Sequence, residues 1–510
     1  MGTASAQPIP TSTRVAPQPS IPESREAFFS LEAWLHAPST CVLPAHEVEA
    51  EHAERGRELV RLMYQEHIDC RGPGDVGRAV ETVDSGGQVV VLSHRRHAKR
   101  DHRTIFGKVE VRRLGYSLPG QPQLCPLDEM LHLQERSFSY NLQYLAIVEA
   151  VKGPYAEGVD TVQRFTKVKM PKRTLEDLVK EAAVDFKSFY EQRTPPDPAE
   201  TSSILVASAD GKGIPLWKPR LEPERAGAPV ERQKGVKQMA TVAAVYTIAP
   251  RIRTPEQVTE SLFKDPATPR LVTSDGVRVH NREPRPEHKR VWARLKGGKD
   301  AVFKELAAEA ERRDLYRTKI RVALSDGEKA LLRRFPHYLP TFLLILDLLH
   351  VLEKLWKAAG LLVGKGNKLK AKREEWVRPH VLSILQGNVT DVVLTIRQRA
   401  ADKKVKGKKA KKLANICNYL ERNSDHMRYH EYLAAGLPIA SGIIEGACKN
   451  LIKTRFERPG MRWKATTGTP EAMLQMRAIY LSDDLEEYWA YHIRQEQARL
   501  YGKRRWTAVA

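Results

Sequence analysis

The chain has 510 residues, with 84 Lys and Arg against 62 Asp and Glu, so its formal charge is 84 − 62 = +22 with the histidines neutral. A 41% hydrophobic content is enough to bury cores at about 150 residues per domain, which excludes a wholly disordered polyelectrolyte, and the charge excess calls for a polyanionic partner. No run reaches the roughly 18 to 20 apolar residues that a membrane span needs; the best, over residues 341–349, is interrupted by Asp347 and followed by His350.

Residues 1–25 are rich in Pro, Ser and Thr and lack an apolar block, so they read as a disordered tail and not as a secretory signal. Cys41, Cys70, Cys125, Cys417 and Cys448 are odd in number and never form a CxxC pair, which argues against a disulfide framework and fits a reducing cytosol. Residues 26–193 are expected to form an N-terminal DNA-binding region. It begins with helices, EAFFSLEAWL and EVEAEHAERGRELVRLMYQEH, and continues into a small basic sheet over residues 86–116, where Val109 and Val111 alternate with Lys108, Glu110 and Arg112. His94, His97 and His102 lie close in that stretch, with Cys125 beyond, but no tight ligand pair supports a metal there; they read as part of a basic strand surface.

Residues 137–193 read as three consecutive helices with short loops, a helix-turn-helix-like unit. In the third, Leu175, Leu178, Val179, Ala182, Phe186 and Phe189 form one apolar stripe, and Pro171 suits the first helical position. Lys172 and Arg173 stand in its first turn, where the helix dipole disfavours cations; a DNA phosphate there would offset the penalty, whereas a plain packing helix would leave it.

After the linker TPPDP, residues 196–362 alternate strands and helices, which points to an α/β layer. SSILVASADGKGIPLWK and KIRVALSDGEKALLRRFP each carry an apolar strand ending in Asp-Gly, at Asp210 and Asp326, with a further strand at MATVAAVYTI between them. TFLLILDLLHVLEKLWKAAG then runs from a buried strand through Asp347 into a helix. Residues 363–434 are expected to be a basic helical insertion; residues 397–412 carry nine Lys and Arg against Asp402, either a solvated face or a phosphate clamp. Residues 435–480 hold GLPIASGIIEGACKNLIKTRFERPGMRW, in which Ile439, Ile443, Ala447 and Leu451 share a helical face, Ser441 is placed to cap the helix, and Glu445 lies in its early part. Residues 481–510 complete the chain as a helix and basic tail.

Each Asp-Gly alone is most often a turn, and Glu445 with Lys449 alone is an ordinary helix pair. Together, carboxylates at strand ends of an α/β sheet converge on the crevice where such folds bind ligands, and three in one crevice need cations between them. Mg²⁺ takes oxygen ligands, and an ion pair suits in-line phosphoryl transfer on a phosphodiester polyanion.

These blocks resemble the RNase H-like Asp-Asp-Glu transposases, and within them the Kra-type transposases of bacterial insertion sequences. ASADGKGIP, KQMATVAAVYT, ALSDGEKAL, DLLHVLEKLWKAA and GLPIASGIIEGACKNLIKTRFERPGMRW carry the resemblance, with FGKVEVRRLGY, LCPLDE and PKRTLEDLVKEAAVDF upstream, from about residue 50 to about residue 495. It implies a multidomain α+β protein whose RNase H-like core is interrupted by an all-helical insertion and preceded by the DNA-binding region. It also implies a catalytic triad of Asp210, Asp326 and Glu445 holding two Mg²⁺ ions, with Mn²⁺ as a substitute. The reaction implied is hydrolysis at the ends of a mobile element followed by attack of the freed 3′-hydroxyl on target DNA.

The resemblance further implies that Asp347 and His350 correspond to the [C/D]xxH signature of the wider superfamily; they are expected to support the site, with His350 either touching DNA or forming with Asp347 a satisfied polar pair at a strand-to-helix turn. Asp326 is preferred to Asp347 as second acid, because a Gly and a polar turn follow it whereas Asp347 runs straight into an apolar helix. Lys212, Lys449, Lys453 and Arg455 are expected to track phosphates near the cut, with Arg462 and Trp463 as a stacking platform or, for Trp463, a buried anchor. The expected partners are double-stranded DNA, as terminal repeats and target, and further copies of the chain on paired ends, in the cytoplasm at the nucleoid. A transposase-derived DNA-binding regulator and another RNase H-like endonuclease are the alternatives.

Overall fold

The computed structural model describes residues 22–84, 86–217, 236–263, 284–459, 461, 463–464, 467–502 and 506–509. Most of the tail expected over residues 1–25 lies outside these, as does Arg462; the chain is already helical from Glu23. Two units divide it, one of residues 1–146, 158–171 and 493–510, the other of residues 147–157 and 172–492.

In the first unit, β1 (Ala79–Val83) and β2 (Val89–Leu92) pair antiparallel, and the terminal strand Trp506–Val509 adds to the other edge of β1. β3 (His94–Thr104) and β4 (Gly107–Ser117) form a separate antiparallel ribbon. The expected alternation holds along β4: Val109 and Val111 are buried while Lys108 and Arg112 face out. The 26-residue helix Ala45–Cys70 packs against β4, with Ile68 joining Val111, Leu127 and Leu133 in one small core.

The three histidines of this ribbon do not converge. His94 and His97 are exposed, whereas His102 is buried opposite Val109 and its Nδ1 lies 3.3 Å from Gln134 Nε2. Burial, with help from Arg100, pushes the His102 pKa down to about 4. The unfolded chain therefore takes up a proton near pH 6.5 that the folded unit refuses until about pH 4. The contribution is fully present above pH 6.5 and is lost as the pH falls toward 4. We expect a loss of about 3 kcal/mol over that window, read by thermal melting of wild type beside His102→Gln, in which this part of the slope disappears.

The second unit is built on a mixed sheet. β5 (Ile204–Trp217), β6 (Val236–Ile248), β7 (Glu287–Arg294), β8 (Ile320–Ser325) and β9 (Leu343–Leu346) run in the order β7-β6-β5-β8-β9, and β10 (Trp463–Lys464) pairs with the far end of β5. β5, β8 and β9 are parallel; β6 is antiparallel to both its neighbours. Residues 204–209 of β5 are all buried, as a central strand covered on both faces requires.

The helix Leu348–Leu362 follows β9 and turns Leu348, Val351, Leu355, Ala358, Ala359 and Leu362 inward. The stretch expected as a basic helical insertion forms helices Lys370–Leu385, Val389–Asp402 and Gly407–Arg422, whose Trp376, Val377, Ile396, Leu413, Ile416 and Leu420 enter the same core as Val206, Val322 and Ile345. Its charged run stays on the outside: Arg397, Arg399, Lys403, Lys404, Lys408 and Lys409 are exposed.

The units cut across the expected N-terminal region, since residues 147–157 and 172–193 fall in the sheet-bearing unit and residues 493–510 in the first. The apolar stripe from Leu175 to Phe189 is buried, but over two helices, Lys172–Ala182 and Phe186–Gln192, and Lys172–Ala182 packs on Thr469–Leu481. Residues 172–193 thus belong with the sheet-bearing unit, because that stripe finds its partner there.

Candidate active site

Two strand registers bring the predicted acids into line. β5 and β8 are paired up to Ser208↔Leu324, and β8 and β9 up to Ser325↔Leu346. Continued by two residues, the first register sets Asp210 beside Asp326; continued by one, the second sets Asp326 beside Asp347. Asp210, inside β5, and Asp326 and Asp347, one residue past the ends of β8 and β9, therefore occupy neighbouring register positions across strands about 4.8 Å apart.

Asp210 was expected to end its strand. Instead β5 runs on to Trp217, paired with β6 through Asp210↔Val242 and Gly211↔Thr241; what stops at Ser208 is its pairing with β8. Gly211 is therefore an extended strand residue, whereas Gly327 is a true turn with φ +84°. A Cβ at Gly327 would sit 2.8 Å from the Tyr419 ring, whereas one at Gly211 would meet only the side-chain ends of Met239, at 3.2 Å, and Glu328, at 3.5 Å. Gly327→Ala should cost about 2 kcal/mol and Gly211→Ala less than about 1 kcal/mol, compared by chemical denaturation.

The backbone around the acids is held by named contacts. Asp326 Oδ1 accepts from Glu328 N at 2.8 Å, and the Asp326 carbonyl accepts from the Tyr419 hydroxyl at 2.7 Å. Asp210 Oδ1 accepts from Gly211 N at 2.6 Å, and its Oδ2 accepts from the Cys448 thiol at 3.2 Å. Burial and the Asp210 charge push the Cys448 thiol well above its usual range, so it remains a donor. Burial likewise raises Asp326, with the Asp210 charge adding, and raises Glu445, with the Asp347 and Asp210 charges adding. Asp210, Asp326 and Glu445 thus share one electrostatic neighbourhood.

Asp347 is 1% exposed and has both oxygens engaged. Its Oδ1 accepts from Leu349 N at 2.7 Å, capping the helix that follows, and its Oδ2 accepts from Ser441 N at 2.9 Å. Leu348 N also donates to Ile439 O at 2.9 Å, so the end of β9 grips the segment that leads to Glu445. His350 Nδ1 lies 3.9 Å from Asp347 and 4.0 Å from Glu445, too far for hydrogen bonds, and has no hydrogen-bond partner among the described residues. The Asp347 carboxylate nonetheless holds the His350 pKa up to about 9 against the opposing effect of burial. Among the described residues, Asp347, His350 and Glu445 are the His, Cys, Asp or Glu side chains that offer three ligand atoms mutually within 4.8 Å; Asp210 and Asp326 stand outside that set.

Glu445 rides on the helix Gly442–Ala447, capped by Ser441 Oγ accepting from Ile444 N at 3.4 Å. The helix widens into a π-helical turn over Cys448–Lys453, whose Leu451 and Ile452 are buried while Lys449 and Lys453 are exposed. Lys212 is half-buried on β5, and Lys172 and Arg173 are exposed on their helix, Arg173 within 3.5 Å of Asp177.

Two expected DNA contacts are corrected. Arg455 is fully buried: its Nε donates to Ala150 O at 3.0 Å, and its guanidinium lies between the rings of Tyr155 and Trp463, at 4.9 and 4.8 Å. Burial brings its pKa down to about 10. Trp463 is 4% exposed and packs 4.5 Å from Phe456, so it is an anchor and not an open platform. Sequence spacing gave no sign of the Tyr419 contact, whereas Cys448, three residues after Glu445 on one helical face, was there to be found.

No protein-family model matches the chain, and no curated protein matches it. Among solved structures it is similar to one described as the Drosophila P element transposase strand transfer complex, at 9% identity and a TM-score of 0.25, over 72% of this chain and 82% of that one. No helix among the described residues is long and apolar enough to cross a membrane.

Proposed function

We propose that this chain is an Asp-Asp-Glu DNA transposase of the Kra type, cutting phosphodiester bonds at the ends of an insertion sequence and joining the freed 3′-hydroxyl to target DNA. The observation that carries the reading is the register of β5 on β8, paired to within two residues of Asp210 and Asp326, with the Asp210 charge acting on Asp326 and the segment after Glu445 joined to Asp210 through Cys448. The strand order, three antiparallel strands followed by two parallel ones on the other side of the first, supports an RNase H-like core.

Asp210, Asp326 and Glu445 would hold two Mg²⁺ ions, or Mn²⁺ in their place; their all-oxygen donor set suits a hard cation. When bound, the metal supplies Lewis-acid stabilisation of charge on the reacting phosphate. The chain's own residues do the rest. Asp347 fixes the approach of Glu445, Tyr419 fixes the Asp326 turn, and the exposed Lys449 and Lys453 hold backbone phosphates beside the cut, with Lys212 next to Asp210. Lys172 and Arg173 contact duplex DNA further away. Copies of the chain act together on paired ends at the nucleoid. A second assignment of the metal ligands, Asp347 with His350 and Glu445, is favoured by the closeness of their ligand atoms.

The test incubates the purified chain with DNA carrying the element's ends and Mg²⁺ or Mn²⁺, and reads cut ends and joined strands. Cutting with joining is expected. Cutting alone would favour the endonuclease, and salt-sensitive binding without any metal-dependent product would favour the regulator.

A further inference from the structure

A cleft of about 1270 Å³ opens between the helix Leu348–Leu362 and the helix Gly407–Arg422 and reaches Glu445 itself. Its floor is apolar, with Leu352, Trp356 and Ile416, and Trp356 is only partly buried. Seven Lys and Arg side chains line it against two carboxylates, Glu353 and Glu445. Among the described residues, the exposed Lys329, Lys365 and Lys412 have no carboxylate partner. Its wall includes Tyr419, whose hydroxyl holds the Asp326 carbonyl at 2.7 Å and whose ring lies under Lys354 at 4.7 Å.

A basic rim alone fits any polyanion, and duplex DNA most simply. The floor does not. A duplex keeps its base faces in the stack and offers a protein phosphates and groove edges, whereas unpaired bases bury their faces on aromatic and apolar side chains while cations follow the backbone. We propose that this cleft binds an unpaired DNA strand, its bases lying against Trp356 and the floor and its phosphates along Lys329, Lys365 and Lys412, so that the strand is led to Glu445. The inference rests on the transposase reading and adds the form of the substrate: the cut is approached by a frayed strand, not by intact duplex.

The test measures binding by fluorescence anisotropy in EDTA, where no cleavage occurs, with a labelled single-stranded 20-mer, the same sequence as duplex, and polyglutamate as a base-free polyanion in competition. The single strand should bind at least about tenfold more tightly to wild type than to Trp356→Ala, with Trp356→Phe between them. Lys365→Gln with Lys412→Gln should lower the slope of log affinity against log salt by about 1.4, two contacts at about 0.7 each. Equal displacement by polyglutamate, or single-strand affinity unchanged in both variants, would overturn the proposal. A melt of each variant identifies loss of fold, in which case Trp356→Phe and the lysine pair decide. Asp326→Asn, run alongside, should bind the strand like wild type and fail to cut. If it cuts, the catalytic reading falls while the binding result stands; if strands do not bind but wild type cuts, the cleft proposal falls alone.

Discussion

Asp326→Asn is expected to lower metal-dependent cleavage by about three orders of magnitude or more while leaving DNA affinity and fold intact. The substitution keeps shape and the Glu328 N–H contact but removes the negative charge from the register position between those of Asp210 and Asp347. Removing one anionic ligand forfeits several kcal/mol of transition-state stabilisation, and about 4 kcal/mol is about a thousandfold in rate. Single-turnover cleavage in Mn²⁺ is the measurement. A variant that retains a tenth of wild-type activity would dismiss Asp326 as second acid and favour the Asp347, His350 and Glu445 set.

Asp347 should behave differently. Asp347→Ala removes a helix cap, worth about 1 kcal/mol, and leaves the buried Ser441 N–H without an acceptor, worth about 1 to 3 kcal/mol, so the sheet-bearing unit should lose about 2 to 4 kcal/mol. Hydrogen exchange at the Leu349 and Ser441 amides should quicken accordingly. Cleavage should fall with it, because the segment gripped through Ser441 N is the one that leads to Glu445. Asp347→Asn keeps one acceptor and should cut within about tenfold of wild type. Loss of cleavage in Asp347→Asn with both amides still protected would make this residue a metal ligand and not a clamp.

Much of this site is legible in the sequence because local pattern dictates it. Apolar runs ending at Asp326 and Asp347 gave β8 and β9, and Ser441 four residues before Glu445 gave the capped helix. Where long-range pairing decides, pattern misleads. The Gly after Asp210 looked like the Gly after Asp326, but β6 pairs straight across it and no turn forms. Arg455 looked like one more cation on a basic helix, because nothing local announces that Tyr155, three hundred residues earlier, and Trp463 close around it. Asp347 carries the same limit: an acid after a strand is visible, but its second acceptor contact, to Ser441, joins residues 94 apart.

The Tyr419 latch bears on how such a protein can change over evolutionary time. An all-helical segment that follows a sheet in the chain looks like a cassette to be gained or lost at no expense to its host. Here its tyrosine holds the carbonyl of Asp326 and fills the space above Gly327, and its Leu413, Ile416 and Leu420 complete the core beneath β8 and β9. Excising it would strip the wall from Asp326 and open the sheet to water. These helices and the Asp326 turn are therefore parts of one packed structure, and a change in one is felt by the other.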